Sequence, residues 1–184
     1  MMQPNKMYII DGQDRCAKSS LVNALRKNIK NPKIAVMHSS KPPAGVDVVD
    51  WTVTYYYNLL DQAINMVKDG WDVILDRSWL GESVYGPIYR NVHIGLKTME
   101  EGCLNYIDDI ECRLIIMVDD ASSIASRSDG ESMSDDLNFL EKERAAFFVA
   151  YENTIVRNKE IVDWFYEEFS PKYIEELALE MING

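Results

Sequence analysis

The chain has 184 residues, of which 47% are hydrophobic and 10% aromatic, and carries a formal net charge of −11. This size and composition fit one globular domain with a sizeable core and exclude a disordered chain. The acidic balance argues against duplex nucleic acid as the main partner, because such binders present a basic face. No apolar run approaches the roughly 18 residues of a membrane span.

In chain order, Met7 to Asp11 (MYIID) reads as a first strand, and Lys18 to about Asn28 as a helix through Leu21, Leu25 and Ile29. Lys33 to Met37 (KIAVM) is a second strand. His38 to Gly45 (HSSKPPAG) is a loop, since its prolines and small polar residues oppose regular structure. Trp51 to Lys68 reads as a helix with Leu59, Ala63, Met66 and Val67 on one face, stopped by Gly70. Asp72 to Leu75 is a third strand and Arg113 to Val118 a fourth. The polar, acidic stretch of residues 126–136 reads as a lid. Leu137 to about Val156 is a long helix, Ile161 to Phe165 a fifth strand, and a last helix starts near Ser170-Pro171. Strands alternating with helices predict an α/β fold, with a five-stranded, mostly parallel sheet between two helical layers in a single domain, 1–184.

The N-terminal MMQPNK lacks the regions of a signal peptide, and Cys16, Cys103 and Cys112 have neither metal-ligand nor disulfide spacing. A soluble cytoplasmic protein with reduced thiols is the expectation.

Between the first strand and first helix runs GQDRCAKS, Gly12 to Ser19. It matches the phosphate-loop pattern G-x-x-x-x-G-K-[ST] at each fixed position except Ala17, where glycine is usual. Gly12 permits the tight turn, and successive backbone N–H groups can then meet phosphate oxygens at the positive end of the helix. Lys18 would reach the β- and γ-phosphates of ATP and the Ser19 hydroxyl would bind Mg²⁺. The expected phosphate cradle is Gly12, Gln13, Asp14, Arg15, Cys16, Ala17, Lys18, Ser19 and Ser20. An ordinary βα turn holding a lysine is the bland alternative, weakened by the strand before and the helix after. If Ala17 must adopt a positive φ, its methyl costs on the order of a kcal/mol. The helix N-terminus could lower the pKa of Cys16.

At this loop the chain resembles thymidylate kinases of eukaryotic type, whose phosphate loop reads E-G-x-D-R-x-G-K-[ST]; here it is Asp11 to Ser19. The resemblance implies a P-loop kinase fold and ATP-dependent phosphorylation of a (deoxy)nucleoside monophosphate with Mg²⁺. It implies that Asp14 contacts the acceptor's 3′-hydroxyl, and that Arg15 contacts the transferring phosphoryl group, where a planar guanidinium can offset spreading charge. Asp76-Arg77 matches the family's second Asp-Arg motif, in which the arginine holds the acceptor monophosphate and the aspartate lies near Mg²⁺. Arg15, Lys18 and Arg77 are therefore the expected catalytic residues, and Ser19 and Asp76 the expected metal residues. Tyr85 stands where the family often has an aromatic. Between Ser128 and Glu143 there is no arginine, which leaves Arg127, at the lid's base, as the nearest candidate for ATP. Homodimers are usual in the family.

The chain departs from the family at the base. No arginine lies from Pro42 through Asp76, so the residue that reads thymine is missing. Trp51 or Tyr55 is the expected stacking partner, Lys41 replaces positive charge in the family's R-E-P-G loop, and Arg90 can touch the acceptor. Such departures fit a divergent branch of the kind that phages encode. Two other readings stay open. One is a kinase acting on a hydroxyl of a nucleoside or modified DNA base, for which Glu82 or Asp76 could act as base. The other is a nucleotide-binding regulator without catalysis, which Ala17 favours. His38 and His93 look isolated and carry no expected role.

Overall fold

The computed structural model describes residues 5–95, 97, 100, 110–127, 133–165 and 170–184. Five strands form one sheet: β1 (Lys6–Gly12), β2 (Ile34–His38), β3 (Asp72–Asp76), β4 (Glu111–Val118) and β5 (Lys159–Asp163). Their spatial order is β2-β3-β1-β4-β5, and every pairing is parallel. Parallel neighbours require crossovers, and helices supply them on both faces.

The strand residues alternate between two cores, as the two-residue period of a strand demands. Met7 and Ile9 of β1 join Leu114, Ile116 and Val118 of β4 on one face, under α2 (Val48–Lys68), α3 (Trp79–Tyr85) and α5 (Leu137–Asn153). Tyr8, Ile10, Ile115 and Met117 face the other way, against α1 (Lys18–Asn28), α4 (Ala121–Ser126) and α6 (Pro171–Asn183). The fold is thus the expected three-layer α/β sandwich, with the sheet wholly rather than mostly parallel.

Several boundaries differ from the sequence reading for identifiable reasons. Helix α2 starts at Val48 because Asp47 caps it, accepting from the N–H groups of Val49 and Asp50. Its buried face is Thr52, Tyr56, Leu60, Ala63, Ile64 and Val67, one position off the expected face at Leu59 and Met66. Helix α5 stops at Asn153, where Thr154 turns extended, short of the expected Val156. Strand β5 begins two residues before the expected Ile161 and ends at Asp163. The stretch after β3, which showed no clear pattern, forms α3 followed by a π-helical turn at Gly86–Arg90. The expected lid falls partly outside the described residues: α4 runs to Ser126, residues 128–132 are not described, and Asp136 caps α5 through Asn138 N–H. Among the described residues no helix is long and apolar enough to cross a membrane.

Candidate active site

The site lies at the carboxyl ends of β1 and β3, where open parallel sheets leave a crevice for ligands. Gly12 leaves β1 at φ 125°, and a Cβ there would sit 2.0 Å from the Met117 carbonyl oxygen, so only glycine can occupy the position. Arg15 and Ala17 follow at φ 63° and 62°. These left-handed residues bend the backbone so that its N–H groups turn toward a common concavity. Among the described residues, no acceptor meets the N–H groups from Asp14 to Ser19, whereas Gln13, Ser20 and Leu21 donate to Met117 and Ala17 carbonyls. Ala17 precedes α1 as its N-cap without a side-chain cap.

Lys18 is almost fully buried, and its Nζ donates to the Gly12 carbonyl at 2.9 Å and to that of Gln13. Asp14 lies 3.7 Å from it, and Arg77 Nη2 approaches the same carboxylate at 3.0 Å. Arg15 turns toward the segment before α5: its Nη1 lies 2.8 Å from Asp135 and its Nη2 donates to the Ser134 carbonyl. Arg127 pairs with the buried Asp119 at 2.6 Å, just past β4. Gln13 contributes backbone to the loop while its side chain points inward, accepting from Asp119 N–H and donating to the Leu140 carbonyl.

Asp11 couples the phosphate loop to the segment after β3. Its fully buried carboxylate accepts from Gly12 N–H at 2.9 Å, Ser78 N–H at 2.9 Å, Ser78 Oγ at 2.6 Å and Gly81 N–H at 3.0 Å. Burial raises its pKa, and the bonds from Ser78 and Gly12 pull it partly back. Cys16 is buried and its thiol is pushed up to about 12, first by desolvation. This corrects the expectation of a lowered pKa: the side chain leaves the solvent and packs among Leu21, Ile124 and Trp164 in the α1-side core. Ser19 and Ser20 are exposed in the first turn of α1.

Beside the loop opens a cleft of about 420 Å³. Asp14, Lys41, Arg77, Tyr85 and Arg90, five of the expected acceptor residues, line it. Tyr85 is half-buried and its hydroxyl donates to the Gly12 carbonyl at 3.3 Å. The expected stacking residues are not there. Trp51 and Tyr55 stack on each other at 4.5 Å and border a separate hollow on α2, while Tyr56 turns into the cleft. On one helix, neighbouring residues face about 100° apart, so the three consecutive tyrosines divide: Tyr56 is buried, Tyr55 half-buried and Tyr57 exposed.

Two further lining residues are His38, which had no expected role, and Glu82, a candidate base only for a hydroxyl acceptor. His38 Nδ1 lies 2.9 Å from Asp76 Oδ2, so neither residue stands alone. Glu82 is buried on the first turn of α3, and Arg90 Nη2 donates to its Oε1. Desolvation raises the Glu82 pKa and the Arg90 contact lowers it in part. Among the described residues no three His, Cys, Asp or Glu side chains converge as a metal cage. A Mg²⁺ ion bound with a nucleotide takes most ligands from phosphates and water, and an exposed serine hydroxyl beside a row of unpaired N–H groups suits that arrangement.

No protein-family model matches the chain, and none of the curated proteins does. Solved structures do. Thymidylate kinase from Candida albicans superposes with a TM-score of 0.65 at 13% identity, covering 99% of this chain and 92% of that one. The YorR protein of Bacillus subtilis, solved in complex with phosphorylated GDP, gives 0.64 at 17% identity over 96% and 95%. Deoxyadenosine kinase from M. mycoides with bound dATP gives 0.58 at 14% identity over 97% and 100%. At such identities the likeness shows the fold, which is that of P-loop kinases.

Proposed function

We propose that the protein is an ATP-dependent deoxynucleoside monophosphate kinase. The observation that carries this is the shared position of Asp14, which lines the acceptor cleft while lying between Lys18 of the phosphate loop and Arg77. A protein that only holds a nucleotide has no need of a second, cation-lined cleft opening onto its phosphate loop. The structural neighbours include a thymidylate kinase and a deoxyadenosine kinase, which supports the reading.

In this reading the unpaired N–H groups of residues 14–19 hold the donor's phosphates, and Lys18 releases the Gly12 and Gln13 carbonyls to meet them. Arg77 and Lys41 hold the acceptor's phosphate, and Asp14 orients its sugar. Arg15 exchanges Asp135 for the transferring phosphoryl group, where its charge counts most in the transition state. Ser19 would hold Mg²⁺ together with the donor's phosphates, and the ion would supply charge neutralisation there. An attacking phosphate oxygen is already ionised, so no general base is required.

The test is a panel of nucleoside monophosphates with labelled ATP. Lys18→Ala should abolish turnover, and Arg15→Ala should reduce kcat by roughly 10²-fold or more with ATP affinity nearly intact. Full activity of Arg15→Ala would rule out its proposed role.

A hydroxyl acceptor is the second reading. It is favoured by the Asp76–His38 pair at the ends of β3 and β2, because attack by a hydroxyl benefits from a carboxylate base. Turnover of nucleosides but not of monophosphates in the same assay would establish it.

A further inference from the structure

Resting on the nucleotide-kinase reading, the cleft also carries information about the acceptor's base. Glu82 lines the cleft with its side chain only 5% exposed. Arg90 Nη2 holds Oε1, and among the described residues no donor meets Oε2. That oxygen is open to the cleft, where a donor on an occupant can meet it. A phosphate cannot, since it carries the same charge. Within a nucleotide the remaining donors are sugar hydroxyls and the base edge.

We infer that Glu82 accepts a hydrogen bond from an exocyclic amino group, so that the acceptor carries cytosine, adenine or guanine rather than thymine. Arg90 lines the same cleft and places a guanidinium next to the Glu82 carboxylate. That order, an acceptor beside a donor, matches the amino group and neighbouring ring nitrogen of cytosine (N4 and N3) or adenine (N6 and N1), and equally guanine, whose N2 and N1–H donate to a carboxylate while O6 accepts from a guanidinium. Thymine has one donor on this edge, N3–H, with a carbonyl on each side. A carboxylate accepting from it would face a carbonyl oxygen, and Arg90 can cover one of the two. A site built to bond a polar group discriminates strongly against an analogue lacking it, because its own buried group is then left unpaired. The absence of any arginine from Pro42 through Asp76 agrees with this, since no guanidinium on α2 is available to meet the thymine carbonyl.

The experiment measures kcat/KM of the wild-type protein, Glu82→Ala and Glu82→Gln for dCMP, dAMP, dGMP, dTMP and dUMP with ATP, with thermal melts of each variant to verify folding. Turnover of any monophosphate by the wild type establishes the kinase reading separately. The wild type should then favour at least one of dCMP, dAMP and dGMP over dTMP by at least about tenfold. Glu82→Ala should cut amino-base turnover about tenfold or more and leave dTMP within about twofold. Glu82→Gln, whose amide can donate to a carbonyl, should move the ratio toward dTMP and dUMP. A wild-type preference for dTMP, or variants that lower all five substrates alike, would overturn the inference, the latter pointing to a sugar contact. If the wild type turns over no monophosphate, the kinase reading fails, and calorimetric binding of the same five nucleotides decides the base question. Affinity for dTMP equal to that of the best amino-bearing nucleotide there sinks it.

Discussion

The Asp14 carboxylate lies 3.0 Å from the Arg77 guanidinium, which joins the phosphate loop to the turn after β3 by an ion pair beside the cleft. Arg77 itself sits at φ 69° and donates its backbone N–H to the Ile10 carbonyl, so its direction is fixed by the main chain. Its side chain is 45% exposed, which leaves it reachable for a phosphate.

Arg77→Ala should therefore act on the acceptor. Its kcat/KM for the monophosphate is expected to fall by roughly 10²-fold, with the KM for ATP within about twofold of wild type. Arg77→Lys should recover little, because an ammonium cannot reproduce the two-pronged guanidinium contact. Steady-state kinetics with each substrate varied in turn checks this; an unchanged acceptor KM would remove Arg77 from the site.

Ala17 answers a question that composition alone left open. Its φ of 62° is the left-handed conformation in which a methyl costs about 1 kcal/mol. Glycine would relieve that strain but lose some stability through the freer unfolded chain. Ala17→Gly should raise Tm by about 1–3 °C for a chain of this size, measured by calorimetry. A lower Tm would mean that the methyl's own packing outweighs the strain.

Glu143 gives a pH signature. Burial pushes its carboxyl up, while hydrogen bonds from Tyr89 and Gln13 pull it partly back. The native state thus keeps the proton at pH values where the unfolded chain, titrating near about 4.3, has released it. Its contribution to stability is complete below about pH 4.3 and is lost as pH rises through the raised native value. Glu143→Gln has no such titration. Its stability relative to wild type should climb as pH rises above about 4.3 and level off once pH passes the raised native value, as read in denaturant melts, and a flat difference would contradict the burial argument.

The two described thiols should be inert. Burial pushes Cys16 and Cys112 each up to about 12. Only thiolate reacts with alkylating reagents, so in a Cys103→Ser background labelling at about pH 8 should be negligible until denaturant is added. Rapid native labelling of Cys16, followed by mass spectrometry, would show that the phosphate loop opens.

Much of this arrangement was legible in the chain because its determinants are contiguous. The strands announce themselves as apolar runs since both faces of the sheet are covered, and their ends blur where buried polar residues extend them. Lys6, for example, enters β1 because Glu111 and the Ile182 carbonyl satisfy its amine. The phosphate loop is one unbroken segment with its strand and helix in place. The rest depends on contacts that spacing does not reveal. His38 meets Asp76 because β2 and β3 pair in register at those two positions, which only the strand order determines. Tyr56 rather than Tyr55 faces the cleft because α2 buries a face one position off the expected one. Arg90 comes back to Glu82, eight residues before it, after a π-helical turn that no hydrophobic period announces.

The Gln13 side chain has a further meaning. With its amide oxygen on Asp119 N–H and its nitrogen on the Leu140 carbonyl and near Glu143, it ties the loop to β4 and α5 independently of any nucleotide. The loop is therefore assembled as the chain folds, and its ordering entropy is spent at that stage. In the proposed function, donor capture would then be a docking onto a finished template, whose speed is set by diffusion and orientation instead of by loop closure.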